Sequence, residues 1–396
     1  MMQISPETQL FIREHSSDDV RVLALQAKKY PDIDMPTAIT QIAGRKVAAE
    51  KIPSWWEIEK IWYPKHLSLE QCSSEITARY KARLLQGDSL TDLTGGFGID
   101  CSFLATGFKS ATYVERQEEL CEIAAHNFPV LNLNHINIKN EDGVTYLQAM
   151  SPVDCLFLDP ARRNEHGGKT VAISDCEPNV AELEELLLQK ANRVMIKLSP
   201  MLDLSLALKE LKQTQEVHIL SVNNECKELL ILLGQTSPTE ISIHCVNLST
   251  KGTQEEQHFL FTREQEQCSE CTYTDSLETY LYEPNVSLLK AGAFRSIAAA
   301  YPVRKLHPNS HLYTSDTFIE NFPGRIFRIV NQCSFNKKEV KENLADLKKA
   351  NVTVRNFPAT VAELRKRIHL AEGGDTYLFA STLNNGQKVL IRCEKV

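Results

Sequence analysis

The segment Leu90-Thr91-Asp92-Leu93-Thr94-Gly95-Gly96-Phe97-Gly98-Ile99-Asp100 constrains the fold more than any other stretch of this chain. It reads as a short strand that breaks through a glycine-rich turn into a helix. Gly96 and Gly98 let the backbone take positive φ and let a ligand approach the main chain. The helix from about Ile99 points its unpaired N–H groups at whatever lies above the turn. The next strand-like run, Ala111-Thr112-Tyr113-Val114, ends at Glu115. An acid about 20 residues past a glycine turn hydrogen-bonds a ribose in dinucleotide folds, and Glu115 suits that task. The fingerprint G-x-G-x-x-G is only partly met, because Cys101 stands at its third position, so NAD and FAD are not expected.

From Ser89 onward strands and helices alternate: Leu90–Leu93, Ala111–Val114, helix Gln117–Asn127, Ile136–Asn140, Val153–Leu158, helix Val180–Gln189, Arg193–Leu198 and helix Leu204–Leu211. Such alternation predicts a doubly wound parallel sheet. Val217–Val222 and Glu228–Leu233 follow, separated by five residues, too few for a parallel crossover, so this pair is antiparallel. Ile241–Leu248 and His258–Phe261 extend or edge the sheet. Residues 1–88 read as helices alone, including Pro36–Ala49 and a helix Ser73–Leu84 opened by the capping pattern Ser73-Ser74-Glu75-Ile76. Trp55, Trp56 and Trp62 read as packing residues rather than a base-stacking platform. Residues 272–318 are mixed, with one helix near Val286–Ala299. A β-α-β-α-β-β pattern then runs through Arg325–Val330, Lys337–Ala350, Val352–Arg355, Thr360–Ile368, Tyr377–Thr382 and Lys388–Cys393. The expected domains are therefore a helical lobe at 1–88, an α/β domain at 89–263, a mixed connecting segment at 264–320 and a small α+β domain at 321–396.

Charge separates these regions. Residues 321–396 hold 14 Lys and Arg against 7 Asp and Glu, whereas the preceding 320 hold 30 against 44. A basic module on an acidic body suggests contact with a polyanion, or simply a solvated helix face. No apolar run approaches 18 residues and no signal segment opens the chain, so a cytoplasmic protein with no membrane partner is expected. Eleven cysteines, an odd number, read as free thiols of a reducing compartment. Cys268-Ser-Glu-Cys271 alone has metal-like spacing; with His244 and Cys245 it offers a conceivable zinc site, but an ordinary loop is the simpler reading and no metal is expected.

Asp92, Gly96 and Gly98 fill the pattern D-x-x-x-G-x-G and closely resemble motif I of the class I S-adenosylmethionine-dependent methyltransferases. A cationic sulfonium with an amino-acid tail and no pyrophosphate suits a carboxylate beside the turn. The resemblance extends over residues 89–235, since a parallel sheet ending in an antiparallel hairpin is what these enzymes have. It implies S-adenosyl-L-methionine as cofactor, held by Asp92, Thr94, Gly96, Phe97, Gly98, Glu115, Arg116, Asp142, Gly143 and Asp159, with Asp142 meeting the adenine amino group.

The fourth strand ends at Leu158-Asp159-Pro160-Ala161-Arg162-Arg163, where open α/β sheets place their reaction site. This resembles motif IV, D-P-P-[Y/F/W], in which acid and carbonyl hold an amine and a ring stacks on the base. Here Ala161 and Arg162 replace the second proline and the aromatic residue. The letters also approach the motif of uridine carbon-5 RNA methyltransferases, but those need a cysteine after the fifth strand, and Lys197-Leu198-Ser199-Pro200 has none. Direct SN2 transfer remains, with Asp159, Pro160, Arg162 and Lys197 as the candidate catalytic residues. Lys197 reads equally as a substrate-orienting or a structural lysine. Arg162, Arg163 and Lys169 around Gly167 and Gly168 form either a phosphate-holding or a plain surface loop.

The C-terminal block, with Phe322-Pro323-Gly324-Arg325, Ala362-Glu363-Leu364-Arg365-Lys366-Arg367 and Gly373-Gly374-Asp375, is similar to bacterial methyltransferases that carry a THUMP-like domain. The resemblance implies an RNA partner, tRNA or rRNA, docked through Arg365, Lys366 and Arg367. Two alternatives stand beside it: methylation of a protein or small molecule, and a noncatalytic RNA-binding or assembly factor on the same scaffold.

Overall fold

Apolar strands that alternate with capped helices build the larger sheet. The computed structural model describes residues 4–162, 172–236, 238–250 and 256–396. The strands are β1 (Ser89–Asp92), β2 (Ser110–Glu115), β3 (Ile136–Asn140), β4 (Val153–Leu158), β5 (Ala191–Leu198), β6 (Thr214–Val222), β7 (Glu225–Gly234), β8 (Ser242–Leu248) and β9 (Glu256–Thr262). Their hydrogen-bonded order is β9-β8-β6-β7-β5-β4-β1-β2-β3. β1 pairs in parallel with β2 and β4, β2 with β3, and β4 with β5. β7 then runs antiparallel to β5, with Lys197 opposite Leu230. β4 and β5 end in four and five consecutive buried residues, the mark of strands covered on both faces.

The β6–β7 turn is tighter than the sequence suggests. Only Asn223 and Asn224 lie between the strands, with φ of +51° and +64°. Asparagine tolerates this left-handed region, as a two-residue hairpin turn requires, so the ladder starts at Glu225 rather than Glu228.

The chain forms two compact units, Met1–Gln215 with Leu229–Pro238, and Glu216–Glu228 with Thr239–Val396. In the first, the N-terminal helices include Pro6–Glu14, Met35–Lys51 and Glu75–Ala82. Ala48, Ile52, Trp55, Tyr63 and Ala78 share one buried cluster with Phe97 and Ile99 of the glycine turn. Trp55 meets the Phe97 ring edge-on at 5.2 Å, and Trp62 stacks on His126 at 3.7 Å. These two tryptophans are packing residues; Trp56 stays exposed, with Arg45 over its ring. The helix expected from Ser73 starts at Glu75, and its N-cap Ser74 makes no side-chain cap bond.

In the second unit, β10 (Tyr280–Pro284), β11 (Arg304–Lys305), β12 (Tyr313–Ser315), β13 (Gly324–Ser334), β14 (Asn351–Val354), β15 (Thr376–Thr382) and β16 (Lys388–Lys395) form a sheet ordered β11-β12-β10-β13-β16-β15-β14. Helices Lys337–Leu344 and Val361–Ile368 complete the expected β-α-β-α-β-β run. Leu344, Leu347 and Leu364 pack with Leu378 and Leu390 of the sheet. The single helix expected at Val286–Ala299 is two, Val286–Ala291 and Ser296–Ala300, because Gly292 caps the first in the left-handed region at φ +78°. All eleven cysteines are free thiols, and among the described residues no helix is long and apolar enough to cross a membrane.

Candidate active site

The carboxyl ends of β1, β2 and β4 open into a cavity of about 480 Å³, a size typical of small-molecule sites. The glycine turn forms one wall. Gly98, at φ +87°, is the N-cap of helix Ile99–Ala105, and Gly96 sits at φ +54°. Glu115, at the end of β2, accepts the Gly96 N–H at 2.9 Å through one carboxylate oxygen and the Gln117 N–H at 2.8 Å through the other. Thr94 ties β1 to β4: its hydroxyl oxygen accepts the Asp159 N–H at 2.6 Å, while its own N–H donates to Asp92 at 2.9 Å.

Asp92 is 1% exposed, and among the described residues its second carboxylate oxygen has no hydrogen-bond partner. Burial pushes its carboxyl up to about 8, and the negative charges of Asp100 and Asp159 push the same way. The neutral form is thereby favoured well above the usual carboxylate range. Asp142 caps helix Gly143–Ala149 by accepting the N–H groups of Val144 and Thr145, both at 3.0 Å. Gly143 is required by close approach, since a Cβ there would stand 2.2 Å from the Leu93 carbonyl oxygen.

A buried charge cluster forms the cavity's other side. Lys197, near the end of β5, donates to Asp159 at 2.6 Å, Ser73 at 3.0 Å and Asp100 at 3.1 Å. An ammonium carries three protons, and Asp159, Ser73 and Asp100 each offer an oxygen to accept one. Lys81, fully buried, meets Asp100 at 2.9 Å and Ser73 at 2.8 Å, and the Ser73 hydroxyl donates to Asp100 at 2.7 Å. The two lysines hold the Asp100 carboxyl well below its ordinary value despite its burial. Asp159 shifts the other way: burial raises it, and Lys197 restrains the rise.

Asp92, Thr94, Gly96, Phe97, Gly98, Glu115, Arg116, Asp142, Gly143, Asp159 and Lys197 all line this one cavity. Within it their roles differ. The Phe97 ring is buried against Trp55, and Arg116 pairs at 3.3 Å with Glu177, which lines the cavity too. Pro160 is buried and is not among the lining residues. Arg162 has its backbone in a two-residue strand paired with Cys176–Glu177; its side chain, and Arg163, Gly167, Gly168 and Lys169, lie outside the described residues. Arg365, Lys366 and Arg367 belong to the other unit, in the last turn of helix Val361–Ile368. Lys366 and Arg367 are exposed there, Arg367 lies 4.1 Å over the Phe335 ring, and Arg365 is half-buried 3.6 Å from Glu372.

This geometry matches a known family. Residues 280–323 match the model of a ferredoxin-like domain, and residues 324–395 that of a THUMP-like domain. Over the full length of both chains, at 34% identity and with a TM-score of 0.88, the protein is similar to a crystal structure of a candidate methyltransferase from Porphyromonas gingivalis W83. The chain belongs to the class I S-adenosylmethionine-dependent methyltransferases with a C-terminal THUMP-like domain. More remote are an rRNA methylase from Streptococcus thermophilus (14% identity, TM-score 0.30, 40% of this chain and 93% of that one) and a candidate methyltransferase from Streptococcus mutans in complex with SAH (14%, 0.30, 40% and 96%). Among curated proteins nothing matches.

In this methyltransferase the residues that sequence reading missed are Lys81 and Asp100, together with the true role of Ser73. Ser73 reads as part of a helix-capping pattern, and Lys81 lies unmarked inside the helix that follows. The only local signal is Asp100, an acid in the first turn of a helix whose remaining face is apolar. Cys155 stays inside β4 with its thiol donating to the Gln86 carbonyl oxygen at 3.4 Å, and burial pushes that thiol up to about 11.

Proposed function

We propose that this methyltransferase uses S-adenosylmethionine to methylate a base of structured RNA, tRNA or rRNA, by direct displacement. The observation that carries the reading is the meeting, in one cavity, of the glycine turn with the Lys197-held carboxylate of Asp159. The residues fit the cofactor. Asp92 offers a buried, unpartnered carboxyl oxygen, suited to an ammonium group. A Cβ on Gly96 would have no neighbour closer than 3.8 Å, so the main chain stands open to a ligand. Glu115, with one oxygen held by the Gly96 N–H and the other by the Gln117 N–H, suits the ribose hydroxyls, and Asp142 the adenine amino group.

When bound, S-adenosylmethionine supplies an electrophilic methyl group on a sulfonium. The chain's own task is to align a nucleophile with it and to exclude water. Asp159 serves as acceptor for the N–H of the base that is to be methylated. Lys197 touches no substrate in this scheme; with its three protons engaged, it positions Asp159 and keeps its charge. Pro160 fixes the backbone beyond Asp159, and Arg162, whose backbone pairs with Cys176, is the remaining catalytic candidate. The basic turn Arg365-Lys366-Arg367 docks the RNA backbone, a reading supported by the THUMP-like match.

The test is transfer from methyl-labelled S-adenosylmethionine to total RNA from cells lacking the protein. Ribonuclease-sensitive label is expected with wild type, falling at least about 10²-fold in Asp159→Ala, within the range of general acid–base contributions. Ribonuclease-resistant label would assign a protein or small-molecule acceptor. Cofactor binding with no transfer to any fraction would leave a noncatalytic RNA-binding role.

A further inference from the structure

Outside the cavity, the structure gathers metal-ligating side chains on one face of the sheet. In β6, Glu216 and His218 are two residues apart and share a face, because side chains alternate along a strand. His244 of β8 is the parallel partner of His218, and His258 of β9 is the antiparallel partner of Val246, so both histidines share that face too. Glu216, His218 and His244 each present one ligand atom within 4.8 Å of the others. None of them lines the cavity described above.

Two short distances bear on what this cluster can hold. His218 Nε2 lies 3.2 Å from a Glu216 oxygen, and His244 Nδ1 lies 3.1 Å from His258 Nε2. Tetrahedral zinc, with ligand bonds of roughly 2.0–2.1 Å, sets neighbouring donor atoms roughly 3.3 Å apart. Two acceptor atoms at such a distance need a proton or a cation between them, so the Glu216–His218 pair competes for either. A histidine ligand usually donates its other ring N–H to an acceptor that fixes tautomer and orientation. With Nδ1–H given to His258, His244 keeps the lone pair of Nε2 for a metal. His258 is then the orienting partner and not a ligand.

We infer that Glu216, His218 and His244 form a binding site for a divalent transition-metal ion of the zinc type, clamping β6 to β8 and leaving one position to water. Imidazole and carboxylate are the donor set such ions take, and three protein ligands plus water is the arrangement of open zinc sites. The His218 and His244 rings stack at 4.2 Å and 15°, so binding turns the rings until their in-plane lone pairs converge. The half-buried Glu216 gives the ion its entry, whereas His218 is enclosed.

Zinc soaked into crystals of the full chain tests the site directly, since eleven thiols make bulk uptake ambiguous. An anomalous peak bonded to Glu216, His218 and His244 is expected, together with cobalt(II) absorption that lacks thiolate charge-transfer bands. Isothermal titration should show one high-affinity equivalent lost in His244→Ala, and affinity lowered about 10- to 100-fold in His258→Ala, the usual effect of removing an orienting partner. Glu216→Gln, which keeps shape, guards against misfolding and should also lose the equivalent. Density at Cys268 and Cys271 only, or a titration unchanged in both Glu216→Gln and His244→Ala, would overturn the assignment.

Discussion

Two sets of positive charge, one in each unit, are handled in opposite ways. Lys81 and Lys197 are 0% and 8% exposed and are locked onto Asp100, Asp159 and Ser73. Lys366 and Arg367 stand in solvent at the end of a short helix. Buried charges interact strongly and resist screening, but each must be matched; exposed charges add little to folding and respond to salt. A reaction centre needs the first kind, since it fixes the ionisation of a single carboxylate. A surface for a polyanion needs the second, since it must give up its counterions on contact. In the cavity the ionisation of Asp159 and the stability of the fold are therefore coupled, whereas at the basic turn charge and stability are separate.

The coupling is broken most severely by Lys197→Met. Its loss leaves Asp159 and Asp100 without their shared cation, and breaking a buried ion pair from one side costs about 3–5 kcal/mol. Urea titration should show that loss, and it should persist in high salt because the Lys197–Asp100 pair is enclosed. Methyl transfer should fall by at least about 10²-fold even at temperatures where the variant stays folded. Its pH–rate profile should move up, since Asp159 loses the charge that restrains its carboxyl. An unmoved profile in a folded variant would make Lys197 a packing residue only.

A smaller effect sharpens the comparison from within the cavity. Asp92 is raised to about 8 by burial and by its two acidic neighbours, the opposite of Asp100. An acid whose folded value is raised contributes stability in full below its unfolded value, near 4, and loses it as pH rises through about 8. Asp92→Asn mimics the neutral acid, so the variant should match wild type only below about pH 4, gain relative stability as pH rises from there, and level off above about pH 8. Ligand binding runs the other way. A bound ammonium favours the carboxylate, so wild type should release a proton on taking up S-adenosylmethionine at pH 7. Calorimetry in two buffers of different ionisation enthalpy reads that proton, and Asp92→Asn should release less. Equal release from both would place the ammonium elsewhere.

How much of this is legible before the fold is known follows the same division. Asp92, Gly96 and Gly98 sit within seven consecutive residues, and Asp159 follows a plain apolar strand, so local pattern reveals them. The cluster that controls Asp159 cannot be read locally: Lys197 reaches Ser73 across 124 residues and Asp100 across 97. Only the sheet order, which sets β5 beside β4 and β4 beside β1, brings those side chains together. Smaller misreadings have local causes. Two asparagines tolerate a turn that seems to need five residues, and Gly292 divides a helix whose periodicity is otherwise continuous. The His218–His244 pairing needs a parallel register that no spacing discloses.

The mildest change tests the exposed side of the comparison. Arg365, Lys366 and Arg367 close helix Val361–Ile368, whose amino end is held by a reciprocal Thr360–Glu363 capping box and whose buried residue is Leu364. None of the three cations is buried, so replacing all three with glutamine should alter folding by about 1 kcal/mol or less, as exposed ion pairs allow. RNA affinity should fall, and the slope of log affinity against log salt should shrink by about 2–3, close to one unit for each phosphate contact removed. Affinity for S-adenosylmethionine should not change, because these residues and the cavity belong to different units. Arg367 supplies the internal control. Its guanidinium lies over Phe335, so Arg367→Gln alone should weaken packing slightly as well as binding, whereas Lys366→Gln should touch binding alone. If the triple variant lost RNA affinity without any change in salt slope, the turn would be shaping the domain rather than meeting phosphates, and the contrast between the two sets of charge would fail at its exposed end.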